Sequence, residues 1–175
     1  MFCRKLMCVL TVLTGAAVFS STALAAELTA EFADPAWDGE VIPEGQQCRE
    51  FDGQGATPPL HLSGLPDGTN AVLLLFNDED YEPLSTDGGH GIIGFEIEPV
   101  NGAALLPAVP GGTTEMPEGV WLEAENRDDI GEVGYLAPCS GGEGNLYSVQ
   151  ILAVRYLNEE QYEVLAEGYL QLGRY

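Results

Sequence analysis

Positive charge is what this chain has least of. Its 175 residues carry six Lys and Arg against 28 Asp and Glu, and no lysine follows Lys5. Beyond residue 26 the basic residues are Arg49, Arg127, Arg155 and Arg174, which leaves that part with a formal charge of −24 when histidine is neutral. Such a field repels nucleic acid and anionic lipid surfaces and favours solubility and cationic partners, so nucleic-acid binding is excluded as a function. Histidine is scarcer still, with His61 and His90 only. A transition-metal centre lacks its usual ligands, and neither a metal nor a cofactor is expected. No apolar run after residue 26 approaches the length needed to span a bilayer as a helix, so no transmembrane segment is expected there.

The apolar run that does occur comes first. Arg4 and Lys5 precede Leu6 to Phe19, and Ala23-Leu24-Ala25 follows with the small-x-small pattern of a cleavage site. Residues 1–25 therefore read as a secretory signal, and the protein is expected to be secreted or periplasmic. Cys8 lies inside the apolar segment without small residues before it, which disfavours a lipoprotein. Residues 26–175 are one ordinary domain in length. Two cysteines remain in it, Cys48 and Cys139, and in an oxidising compartment they are expected to pair.

Periodicity after residue 26 is mostly that of strands punctuated by Gly and Pro, which predicts a mainly β domain. Ala71 to Phe76 is a continuous apolar run, as in a strand buried on both faces. Ile93 to Glu98 alternates. Leu146 to Leu157 is the longest candidate, with Tyr147, Val149, Ile151 and Ala153 on one face and Ser148, Gln150, Leu152 and Val154 on the other. Asn158 with Gln161 three residues on, and Gly168 beyond, predict a short helix there, followed by a final strand over Tyr169 to Tyr175. Asn101 to Gly119 and Glu123 to Gly144 read as long surface loops.

Several short stretches fall into one collinear pattern. They are Asp38-Gly39, Ile42-Pro43, Cys48, Gly53, Pro58-Pro59-Leu60 and Leu65-Pro66-x-Gly68-Thr69, followed by Asp78, Asp80, Pro83 and His90. Asn126, Gly131, Gly134-Tyr135, Pro138-Cys139, Gly144 to Tyr147, Leu165-Ala166-Glu167 and Gly173 continue it to the end. The pattern resembles the phosphatidylethanolamine-binding protein family, in its bacterial Raf-kinase-inhibitor-like branch. The resemblance implies a sandwich of antiparallel sheets with one or two short peripheral helices and long Gly/Pro-rich loops. It also implies a non-enzymatic binding protein, without catalytic residues, whose pocket takes a lipid headgroup or small anion.

Carried over by position, Asp78, Asp80, His90 and Tyr147 match the pocket, while Asn145 stands where the family has histidine and Leu146 where it has arginine. The expected ligand-binding set is Asp78, Asp80, His90, Asn145 and Tyr147, assisted by backbone N–H groups of the Gly88-Gly89 and Gly141-Gly142 turns. Asp78 is expected to hold His90 in one tautomer and Asp80 to fix its loop by accepting backbone N–H bonds, with Glu79, Glu82 and Asp87 on the rim. Desolvating an oxyanion among carboxylates is costly, so phosphate binding should be weak and a small polar, zwitterionic or cationic ligand suits the charges better.

Other readings of the same residues remain. The whole acidic loop is a solvated turn in the plainest of them. Another is a protein–protein module or enzyme inhibitor with a degenerate pocket, whose acidic loops engage a protein partner. Asp78-x-Asp80-x-Glu82 has the alternation of a calcium loop, but Pro83 and Gly89 stand at the sixth and twelfth positions where an EF-hand needs Gly and Glu. Ser85 and Ser140 lack a nucleophile elbow, and paired carboxylates are unavoidable in so acidic a chain. His61 reads as an outward residue of an early strand, and Trp37 and Trp121 as packing anchors.

Overall fold

The computed structural model describes residues 27–128, 130–158 and 161–175. The secretory signal expected over residues 1–25 lies outside them. Among the described residues, eight strands form two antiparallel sheets. β1 (Thr29–Phe32), β2 (Leu60–Ser63) and β5 (Ala103–Leu106) make a three-stranded sheet in the order β1-β2-β5. β3 (Ala71–Asp78), β4 (Ile92–Glu96), β6 (Val120–Ala124), β7 (Leu146–Asn158) and β8 (Gln161–Arg174) make a five-stranded sheet in the order β6-β4-β3-β7-β8. Helical structure among the described residues is confined to 3-10 turns at Arg49–Phe51 and Glu82–Leu84. No helix among them is long and apolar enough to cross a membrane.

β3 is the central strand and is buried along its whole length, as its unbroken apolar run requires. Val72, Leu74 and Phe76 join Leu60, Leu62, Val149 and Ile151 in the core between the sheets. Ala71, Leu73 and Leu75 face the other way and form a smaller cluster with Leu152 and Val154. β7 divides between the same two clusters as its alternation predicts. Cys48 and Cys139 are disulfide-bonded.

The structure departs from the sequence reading in two places. The helix expected after Asn158 is instead the first half of β8, paired with β7 from Gln161 onward. The capping pattern is present, but Tyr162 and Val164 lie opposite Tyr156 and Val154, and cross-strand contacts between aromatic and β-branched residues outweigh a short helix's local signal. β5 interrupts the loop expected over residues 101–119: Ala103 to Leu106 lie in a stretch rich in Gly and Pro that reads as loop, yet they complete the small sheet against β2.

Candidate functional site

Asp78 ends β3 on the core-facing side and Tyr147 lies opposite it near the start of β7. The loop between β3 and β4 returns His90 to this end of the sheet, its backbone N–H donating to Phe76 O at 2.9 Å. Asn77 shapes that loop, since its Oδ1 accepts the Gly88 and Gly89 N–H groups at 2.9 and 3.2 Å. Those two donors, expected to face a ligand, are therefore spent within the protein. Arg127 clamps the outside of the loop by donating to Pro83, Thr86 and Asp87 carbonyls.

His90 is buried, and its ring meets that of Tyr147 edge-on with centroids 5.4 Å apart. Its Nδ1 is 2.8 Å from Leu136 O. A carbonyl can only accept, so Nδ1 carries the proton and a neutral ring presents Nε2 as a bare acceptor. The Leu136 carbonyl, not Asp78, thus fixes the tautomer, which corrects the role expected of Asp78. Nε2 has no hydrogen-bond partner, the single such case among the buried side-chain polar atoms described. Burial pushes the imidazole below its ordinary pKa, against the opposing pull of the Leu136 bond and the Asp78 charge.

Asp78 is buried but satisfied. Its Oδ1 accepts the Asp80 N–H at 3.0 Å and its Oδ2 the Asn145 amide at 2.8 Å. Asp80 does accept a backbone N–H, from Leu146 at 2.9 Å, and its Oδ2 also lies 3.2 Å from the Arg174 guanidinium. The Tyr147 hydroxyl accepts the Cys139 N–H at 3.0 Å and is held neutral, its pKa pushed up to about 12 chiefly by burial. Glu79, expected on the rim, accepts the buried Ser148 hydroxyl. The five residues anticipated from sequence are thus gathered at one end of the sandwich. Five surface hollows of 420 to 780 Å³ are lined by other residues. Among the described residues, no three His, Cys, Asp or Glu side chains are placed to hold a metal ion.

Arg174 is the residue that sequence reasoning missed. In the β7–β8 ladder it stands directly opposite Leu146, the position where the family pattern carries arginine. Its guanidinium reaches Asp80 and the Gly144 carbonyl, which places a cation on the strand next to that position. Only the pairing register of β7 with β8 finds it, because no motif places Arg174 opposite Leu146. Because both partners are half exposed, Arg174→Ala should cost no more than about 1 kcal/mol in urea unfolding.

Comparison with known proteins bears on this arrangement. No protein-family model matches the chain. It is 28% identical over 159 residues to a UPF0098 protein of Archaeoglobus fulgidus, covering 84% of this chain but 48% of that one. It is 25% identical over 137 residues to a UPF0098 protein of Chlamydia trachomatis, covering 76% of this chain and 81% of that one. Among solved structures, E. coli YbcL, described as a new member of the mammalian PEBP family, superposes with a TM-score of 0.59 at 19% identity over 86% of this chain and 98% of YbcL. The fold is that of the phosphatidylethanolamine-binding proteins. A putative homologue of that family from Chlamydia trachomatis superposes with a TM-score of 0.51 at 22% identity, over 86% of this chain and 97% of that one. The PEBP resemblance read from the sequence is borne out, and with it the PEBP-like sandwich of antiparallel sheets. The chain spans less than half the length of the archaeal relative.

A depressed His90 also links stability to pH. The unfolded chain takes up a proton near pH 6.5 that the folded chain resists, so stability should fall as pH drops through that region. One such proton gives a slope of at most about 1.4 kcal/mol per pH unit. Urea titrations of wild type and His90→Gln between pH 7.5 and 5 should differ in slope, with the variant flatter; parallel profiles would refute the assignment.

Proposed function

We propose that this is a non-enzymatic binding protein of the secretory route, taking a small polar ligand whose N–H or O–H group donates to His90 Nε2. The observation that carries the reading is the unpartnered buried Nε2 beside Asp78 and Tyr147. Leaving a polar group buried and unpaired costs about 1 to 3 kcal/mol, which a ligand donor recovers on binding. Because the tautomer offers an acceptor and Asp78 adds negative charge behind it, an ammonium or hydroxyl fits better than a bare oxyanion. A zwitterionic headgroup entering ammonium-first satisfies both, its anionic end lying toward Arg174. The Cys48–Cys139 disulfide supports an oxidising compartment.

Entry requires Asn145 to swing off Asp78, because its amide closes the carboxylate at 2.8 Å. Millimolar ethanolamine or phosphoethanolamine should raise the melting temperature of wild type and leave His90→Ala unmoved. Inorganic phosphate should give the smaller shift, and no shift with any of the three would reject the ligand reading.

The Asn145 amide lying across the Asp78 carboxylate favours one other reading, a protein-binding module with a degenerate pocket. Its exposed acidic loop would make the contact, and Glu79→Lys with Glu82→Lys should then abolish capture of the partner while His90→Ala retains it.

A further inference from the structure

The face of the five-stranded sheet turned away from the core carries a second feature, unrelated to His90. A hollow of 480 Å³ opens over the start of β3, walled by the rings of Trp121 and Tyr156 and edged by Glu96, Glu98 and Glu123. Trp121 rests on β4 at Gly94, where a Cβ would stand 2.1 Å from the indole, so only glycine admits the ring. Tyr156 meets it edge-on at 5.3 Å, and Tyr162 stacks on Tyr156 at 5.5 Å. Glu123 fixes both walls: its Oε2 accepts the indole N–H at 2.6 Å and the Tyr156 hydroxyl at 2.8 Å. Both bonds fall on Oε2, and Glu123 lines the edge of the aromatic hollow.

Among the described residues, no basic side chain lines this hollow. Arg155, next to Tyr156 on β7, is turned to Glu163 and the Gly68 carbonyl. The apolar strip also continues past the hollow, because Tyr162 and Val164 are exposed on β8 opposite Tyr156 and Val154. Aromatic faces framed by carboxylates attract a weakly hydrated cation. The arginine guanidinium suits them best, since it stacks on a ring and pairs with a carboxylate at its edge. A second copy of this chain would bring the same carboxylates to the same surface and be repelled, as would an anionic membrane.

We propose that this face docks a basic, extended segment of a partner protein, laying an arginine side chain over the exposed faces of Trp121 and Tyr156 with Glu123 at its edge. The hollow takes the cationic side chain, while Tyr162 and Val164 support the segment that carries it.

Calorimetric titration with an acetylated tri-arginine amide at low and physiological salt tests the proposal. Wild type should bind it, tri-lysine more weakly and tri-glutamate not at all. Trp121→Leu, which keeps the charge and the apolar character but removes the π face, should weaken binding at least fivefold, and Glu123→Gln likewise. Glu44→Gln and Glu143→Gln remove one charge each outside the hollow and should bind as wild type does. If Trp121→Leu does not fold, the exposed Glu123 variant read against those two controls decides the matter. Wild-type affinity in Trp121→Leu, equal loss in the remote controls, or tighter binding of methyl glucoside or zwitterionic vesicles than of the peptide would overturn the proposal.

Discussion

Cys48→Ser is expected to remove about 4 to 5 kcal/mol of unfolding free energy, the loop-entropy value for releasing a long closed segment. The bond closes 91 residues of chain, which include five of the eight strands. A domain of this size has a total margin of about 5 to 15 kcal/mol, so the variant should be close to unfolded at physiological temperature. The disulfide also steadies the site. Cys48 N–H donates to Pro138 O at 3.0 Å, and the Cys139 N–H is the one that anchors the Tyr147 hydroxyl. Reduced wild type and the Cys48→Ser/Cys139→Ser double variant should therefore coincide in urea unfolding. A loss below about 1 kcal/mol would show that the folded sheets hold these loops without the bond.

Phe76→Ala is the second large effect, at about 3 to 5 kcal/mol. Phe76 is fully buried on the core side of β3 and packs on the Tyr135 ring with centroids 4.6 Å apart. Its carbonyl receives the His90 N–H, and the next two residues are Asn77 and Asp78, so the cavity would form directly beneath the site. Phe76→Leu, which retains most of the volume, should cost well under half as much. Equal losses in the two variants, measured by urea midpoint, would mean that the ring's shape rather than its volume matters at this position.

How far the sequence reveals these features depends on whether the information is local. β3 announces itself by an unbroken apolar run and β7 by alternation, because burial on two faces or one dictates those patterns directly. The five residues gathered at the end of the sandwich are legible because collinear motifs mark them. Their hydrogen-bond partners are not, because Leu136 O, Asn77 and Arg174 reach the site through tertiary pairing that no motif encodes. β8 was misread where a capping pattern competes with cross-strand partners more than a turn away. The Trp121–Tyr156 hollow was invisible for the same reason, its walls being 35 residues apart in sequence on strands that flank β4 and β3.

Ligand binding at this site requires a neutral His90 with Nε2 as a bare acceptor. A long-range nitrogen–proton correlation spectrum of the two imidazoles, recorded near pH 7 with and without phosphoethanolamine, reads this directly, with exposed His61 as internal reference. The expected result is an unprotonated Nε2 and a protonated Nδ1 on His90, with the Nε2 resonance moving as the ligand is added while His61 stays still. A proton on Nε2, or an Nε2 resonance unchanged at saturating ethanolamine, phosphoethanolamine and phosphate, would contradict it.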